Sequence, residues 1–122
     1  MKMNEKENES SPLQSILVVD DDHHVLEVLE ARLSSGGFRV FKATGAHEAL
    51  RLIKAHRLDM MISDMKMPGM GGMDLLTEVR ALRPHLPVVF LTAYGTIPDA
   101  VRAVKAGAID YLSKPFDGRE LL

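Results

Sequence analysis

The residue types able to do chemistry in this chain stand at the ends of apolar runs. Met60-Met61-Ile62-Ser63 ends in the carboxylate of Asp64, and the Gly- and Pro-containing stretch Met65 to Gly72 follows at once. Ile16-Leu17-Val18-Val19 ends in Asp20-Asp21-Asp22, Pro87 to Leu91 ends in Thr92, and Ile109 to Ser113 ends in Lys114-Pro115. Apolar runs bounded by Gly and Pro read as buried strands. If these strands are parallel, Asp20, Asp21, Asp64, Thr92 and Lys114 meet at one edge, the edge at which open α/β sheets bind ligands. Close carboxylates repel unless a cation or proton intervenes. A hard divalent ion with oxygen ligands meets that need, and Mg²⁺ fits best. With Lys114 it would neutralise an incoming phosphoryl group. Thr92 would donate a hydrogen bond to that group. Asp64 would be the nucleophile, since carboxylates form acyl phosphates. Taken alone, Asp64 fits a simple turn cap equally well; the other strand ends favour chemistry.

The elements that must position these residues are legible in the periodicity. Leu26, Leu29 and Leu33, with Val25 beside them, mark a first helix closed by Ser34-Ser35-Gly36-Gly37. Phe38-Arg39-Val40-Phe41 alternates as a second strand near a sheet edge. Ala46, Leu50 and Ile53 mark a second helix opening near Thr44-Gly45. Leu75, Leu76, Val79 and Leu82 mark a third, stopped at Pro84. Thr96-Ile97-Pro98-Asp99 reads as the start of a fourth, which Gly107 ends. A last helix begins near Asp117 and has about one turn before Leu122. Five strands alternating with five helices over short connections predict right-handed crossovers and a parallel sheet.

Composition narrows the function. The 122 residues suit one domain with one core. Residues 1–14 are rich in Glu, Asn and Ser and are expected to form a disordered tail, leaving 15–122 as the folded domain. A net charge of -2 argues against direct nucleic-acid binding. With no cysteine, thiolate metal sites, disulfides and cysteine nucleophiles are excluded. No apolar run is long enough to span a bilayer, and the polar start lacks a signal peptide's apolar segment, so a cytoplasmic location is expected.

Taken together, Val18-Val19-Asp20-Asp21, Asp64 with Met67-Pro68-Gly69, Thr92-Ala93 and Lys114-Pro115-Phe116 resemble the receiver domain of two-component response regulators. The resemblance covers about Ser15 to Leu122. It implies a flavodoxin-like, doubly wound five-stranded parallel sheet in the order 2-1-3-4-5. It also implies a phosphoacceptor domain rather than an enzyme. Asp64 would accept a phosphoryl group from a histidine kinase or histidine phosphotransfer protein. Asp20, Asp21 and Asp64 would hold Mg²⁺ with the backbone carbonyl of Lys66, and Asp21 would be the more direct ligand of the acidic pair. Lys114 would pair with the phosphoryl group, across a cis bond to Pro115. Thr92 would be the switch hydroxyl and Tyr111 the aromatic that moves with it. Leu91 to Ile97 and Gly107 to Leu112 look most like the nitrogen-regulator (NtrC) class, whose receivers control an attached ATPase that activates transcription. An output domain outside this chain and a homodimer are therefore expected. The short last helix suggests a fragment of a longer protein, with an apolar face left bare where that helix is truncated.

Other readings compete at single residues. Asp22 fits a helix-start acid better than a third ligand. His23 and His24 fit solvated helix-start positions, and His47, His56 and His85 show no metal spacing. Met65, Met67, Met70 and Met73 resemble a copper-binding series, but methionine is a common gap filler. Gly71, where the family usually has Asp or Ser, predicts a weakly capped third helix. A phosphatase of the haloacid dehalogenase type would need an acid where Lys66 stands. An interaction module of the same fold that works without phosphorylation is the alternative function; the full set of Asp20, Asp21, Asp64, Thr92 and Lys114 argues against it.

Overall fold

The computed structural model describes residues 14–65, 67–92, 105, 107 and 110–113, with Thr92 and 110–113 described by backbone alone. The described strands are β1 (Ser15–Val19), β2 (Arg39–Ala43), β3 (Met60–Asp64), β4 (Val88–Thr92) and β5 (Asp110–Ser113). The described helices are α1 (His23–Ser35), α2 (Ala46–Ala55) and α3 (Gly72–Leu82). All strand pairs are parallel, and the sheet order is β2-β1-β3-β4-β5, as expected. The expected tail up to residue 13, most of the fourth helix and the whole last helix lie outside the described residues, although Lys105 is helical and Gly107 lies in a turn. The carbonyl of Gln14, counted in the tail, accepts the Arg39 N–H at 2.8 Å beside β1.

Alternation along the strands sorts the core into two halves. Leu17, Val19, Met61, Val88 and Phe90 face one side, where they pack with Ala46, Ala49 and Ile53 of α2 and Leu75, Leu76 and Val79 of α3. Ile16, Val18, Ile62 and Leu91 face the other, where they meet Leu26, Leu29 and Leu33 of α1. Right-handed crossovers explain the split. The chain runs one way from β1 to β2 and the opposite way from β2 to β3 and β4, so the helix changes face. That reversal makes the gap between β1 and β3 the topological switch point.

Packing holds α1 more than its cap does. Asp22 is the N-cap, its Oδ1 accepting from the His24 backbone N at 2.9 Å. Such a cap contributes about 1 kcal/mol, against roughly 1.5–3 kcal/mol for each of the three buried leucines. α3 begins at Gly71 with no side-chain cap, as the glycine predicts. Gly36 closes α1, and Gly37 supplies the left-handed turn at φ 94° that leads into β2.

Strand limits differ from the sequence reading most at β2 and β4. β2 begins at Arg39 rather than Phe38 and runs on to Ala43. The Phe38 N–H is taken by Leu33 O at 3.1 Å, closing the α1 turn, and pairing with β1 carries the strand forward from Ser15↔Arg39 to Val19↔Ala43. β4 starts at Val88, after Pro87, whose missing N–H suits a position just before the ladder.

Candidate functional site

Asp20 follows the last residue of β1, and Asp64 is the last residue of β3. The two strands are neighbours, with Val19 opposite Ser63. Asp20 is fully buried and Asp64 is 6% exposed, while Asp21 faces solvent. One carboxylate oxygen from each of Asp20, Asp21 and Asp64 lies within 4.8 Å of the others.

Local bonding fixes each acid. The Asp20 N–H donates to Ala43 O at 3.1 Å, which extends the β1–β2 ladder by one rung. Asp20 Oδ1 accepts from the Asp22 N–H at 2.9 Å, an Asx turn that bends the chain into α1. Asp64 is held from both sides of its peptide. The Ser63 hydroxyl donates to Asp64 O at 2.9 Å, and the next N–H, of Met65, donates to Leu91 O at 3.0 Å. Gly72 then returns α3 to the strand end, its N–H donating to Met65 O at 2.8 Å. A Cβ on Gly72 would stand 2.7 Å from Asp64 O, 2.8 Å from Met65 Cα and 2.9 Å from Phe90 Cε1. Only glycine lets α3 start so close to Asp64. No local sequence pattern marks this residue, because a glycine required for close approach looks like any other loop glycine. Gly69, at φ 76°, turns the intervening loop.

The donor set suits a hard cation: three carboxylates from two adjacent strand ends, of which Asp21 is exposed. His23 and His24 are exposed at the start of α1 and lie outside the acid group, which fits their reading as solvated residues. Asp22 stands at the start of α1 as its N-cap, one position before the first turn, and lies outside the acid group. Met65, Met70 and Met73 are partly buried against the core that includes Met67, the gap-filling role of methionine.

The backbone brings two further predicted residues toward the same end of the sheet. Asp64 pairs with Leu91, so Thr92 stands one residue beyond that pair, and Thr92 pairs with Ser113 at the end of β5. Tyr111 pairs with Phe90. Lys66 and Lys114 lie outside the described residues.

The sequence profile described as "Response regulator receiver domain" matches residues 16–122. The chain belongs to this family, whose members are regulatory phosphoacceptor domains rather than enzymes in the usual sense. It is a phosphorelay receiver domain. It is 43% identical over 102 residues to the transcriptional regulatory protein GlrR of Escherichia coli, covering 84% of this chain and 23% of that protein. It is 43% identical over 107 residues to the response regulator protein FleR of Pseudomonas aeruginosa, covering 88% and 23%. The chain thus spans under a quarter of the length of these curated relatives, at 23%. Their description as regulators agrees with the nitrogen-regulator likeness read from the sequence. Among solved structures, a response regulator receiver domain from Clostridium thermocellum superposes with a TM-score of 0.84 at 38% identity, covering 89% of this chain and 88% of that one. A CheY-like receiver from Methanospirillum hungatei gives 0.85 at 34% identity, covering 89% and 87%. Among the described residues, no helix is long and apolar enough to cross a membrane.

Proposed function

We propose that Asp64 is the phosphoacceptor and that Asp20 and Asp21 form with it a Mg²⁺ site. The observation that carries this reading is the meeting of three carboxylates at the switch point of a parallel sheet. A carboxylate oxygen of Asp64 attacks the phosphorus of a phosphohistidine on a kinase or phosphotransfer protein. The new O–P bond forms as the N–P bond breaks, and the released imidazole nitrogen keeps the electron pair and takes a proton from water. Asp20, Asp21, Asp64 and the Lys66 carbonyl would hold Mg²⁺, which when bound supplies charge neutralisation for the phosphoryl oxygens. The buried position of Asp20 and the Ser63 and Met65 bonds around Asp64 pre-set the acids, so little reorganisation is needed when phosphate arrives.

Lys114 is assigned to the phosphoryl group and Thr92 to a hydrogen bond with it; Tyr111 follows Thr92. Phosphorylation adds charge and acceptor oxygens, and the two-state switch responds only because those oxygens favour one arrangement of Thr92. The domain assists its own dephosphorylation and acts from the cytoplasm. It works through an output domain that activates transcription and is joined to residues 15–122, with dimer formation as one route. It makes no direct contact with nucleic acid.

The test is intact mass after treatment with phosphoramidate or acetyl phosphate, with and without Mg²⁺. One added phosphoryl group that needs Mg²⁺ and disappears in Asp64→Asn is expected. Retained stoichiometric labelling in that variant would remove Asp64 from the role. No labelling of the unaltered chain would favour an interaction module that works without phosphate.

A further inference from the structure

α3 touches the acid site at one end and a distant turn at the other. Arg80, in its last turn, is half-buried. Its Nη1 donates to Leu86 O at 2.7 Å and, at 3.4 Å, makes a longer contact with Arg83 O. Its Nη2 donates to Gly107 O at 2.6 Å. The first bond holds the loop that feeds β4, and the last holds the turn that precedes β5. Gly107 has φ 109°, and a Cβ there would lie 2.8 Å from Arg80 Nε. Glycine is therefore favoured at this turn by its left-handed backbone, while an added methyl would displace the flexible end of Arg80. A planar fork with fixed donors can serve Leu86 and Gly107 together, whereas an ammonium is a single point.

The two ends of α3 thereby share one strand, β4, with β3 at the start and the turn before β5 at the end. At its start, Gly72 lies against Asp64 and the ring of Phe90. At its end, Arg80 reaches the turn from which β5 departs, and β5 pairs Tyr111 with Phe90. We infer that Arg80 is a positioning residue: it pins the Gly107 turn, and with it the start of β5, to α3. A change at Asp64 is thus passed to β5 against a fixed support. The second part rests on the assignment of Asp64 as phosphoacceptor.

The experiment compares the full chain with Arg80→Ala, Arg80→Lys and Gly107→Ala by amide hydrogen exchange without phosphoryl donor. It then follows the Tyr111 amide by NMR on labelling with phosphoramidate and Mg²⁺, with intact mass recorded alongside. In Arg80→Ala, exchange from Gly107 to Tyr111 should rise about tenfold, the loss expected for one charged hydrogen bond, while β1 and β3 stay protected. Arg80→Lys should fall between, and Gly107→Ala should mimic Arg80→Ala. Labelling should persist in Arg80→Ala while the Tyr111 response falls by at least about half. Unchanged exchange at Tyr111, or equal acceleration in β1 and β3 in all three variants, would overturn the pinning role. A full-sized Tyr111 response in a labelled Arg80→Ala chain would overturn the transmission role. If the unaltered chain does not label, the Asp64 assignment falls, and the exchange measurement still decides the pinning.

Discussion

The sheet carries carboxylates at both ends, and they have similar local wiring but different company. At the amino end, Asp59 stands just before β3. Its N–H donates to Ser15 O at 2.7 Å, and its Oδ2 accepts from Ser15 N at 2.7 Å. At the carboxyl end, Asp20 also donates from its N–H to a neighbouring carbonyl and accepts a backbone N–H on its carboxylate. Asp59 completes one strand junction. Asp20 shares its place with Asp21 and Asp64. What sets Asp20 apart from Asp59 is the set of like charges brought beside it, more than its own hydrogen bonds.

The largest expected effect tests that contrast directly. Asp64→Asn should take Mg²⁺-dependent labelling from one phosphoryl group to none, whereas Asp59→Asn should label as fully as the unaltered chain. Intact mass of the two variants decides it, and equal loss in both would erase the distinction. Next comes Gly72→Ala, which forces a methyl between α3 and the Asp64 strand end. Overpacking of this kind costs about 1–3 kcal/mol, read from urea midpoints, and labelling should slow because Asp64 moves with the displaced backbone. An unchanged midpoint would mean that α3 shifts freely and does not brace the site.

Smaller effects sharpen the amino end. Asp59→Ala removes a hydrogen bond between a charged acceptor and the Ser15 N–H, for a loss of about 1–2 kcal/mol in urea unfolding with labelling intact. The smallest effect has the opposite sign. Asp21→Asn removes one of three neighbouring like charges, so in chelator the midpoint should rise slightly. The stabilisation that Mg²⁺ gives the unaltered chain should shrink in the same variant. A fall in midpoint in chelator would show that Asp21 stabilises the fold by itself, as Asp59 does.

Much of this arrangement was legible in the residues. β1 is the β-branched run that ends at Asp20, and β3 is the run that ends at Asp64; a parallel sheet puts both ends together. The strand order was implied by the family resemblance, and given that order right-handed crossovers assign the helix faces. What was not legible depends on distances between elements. The forward shift of β2 comes from its register with β1, which periodicity does not carry. The need for Gly72 comes from the approach of α3 to Asp64 and Phe90, which no local pattern reveals. Arg80 reads as an ordinary helix residue until the turn at Gly107 is placed beside it. Thr92 and Tyr111 fall on strands as expected, while their switch roles and those of Lys66 and Lys114 stand as proposals.

The direct pairing of β1 with β3 also has a consequence in time. α1, β2 and α2 lie between these strands in the chain and must be set aside before Asp20 can meet Asp64. Closing that long segment costs entropy before any contact repays it, so such pairing is slow to form. A divalent ion that binds only the joined pair has nothing to hold while the chain is still open. If the pair joins after the folding barrier, the ion leaves the folding rate alone and slows unfolding, so the site acts as a late lock on a sheet already made.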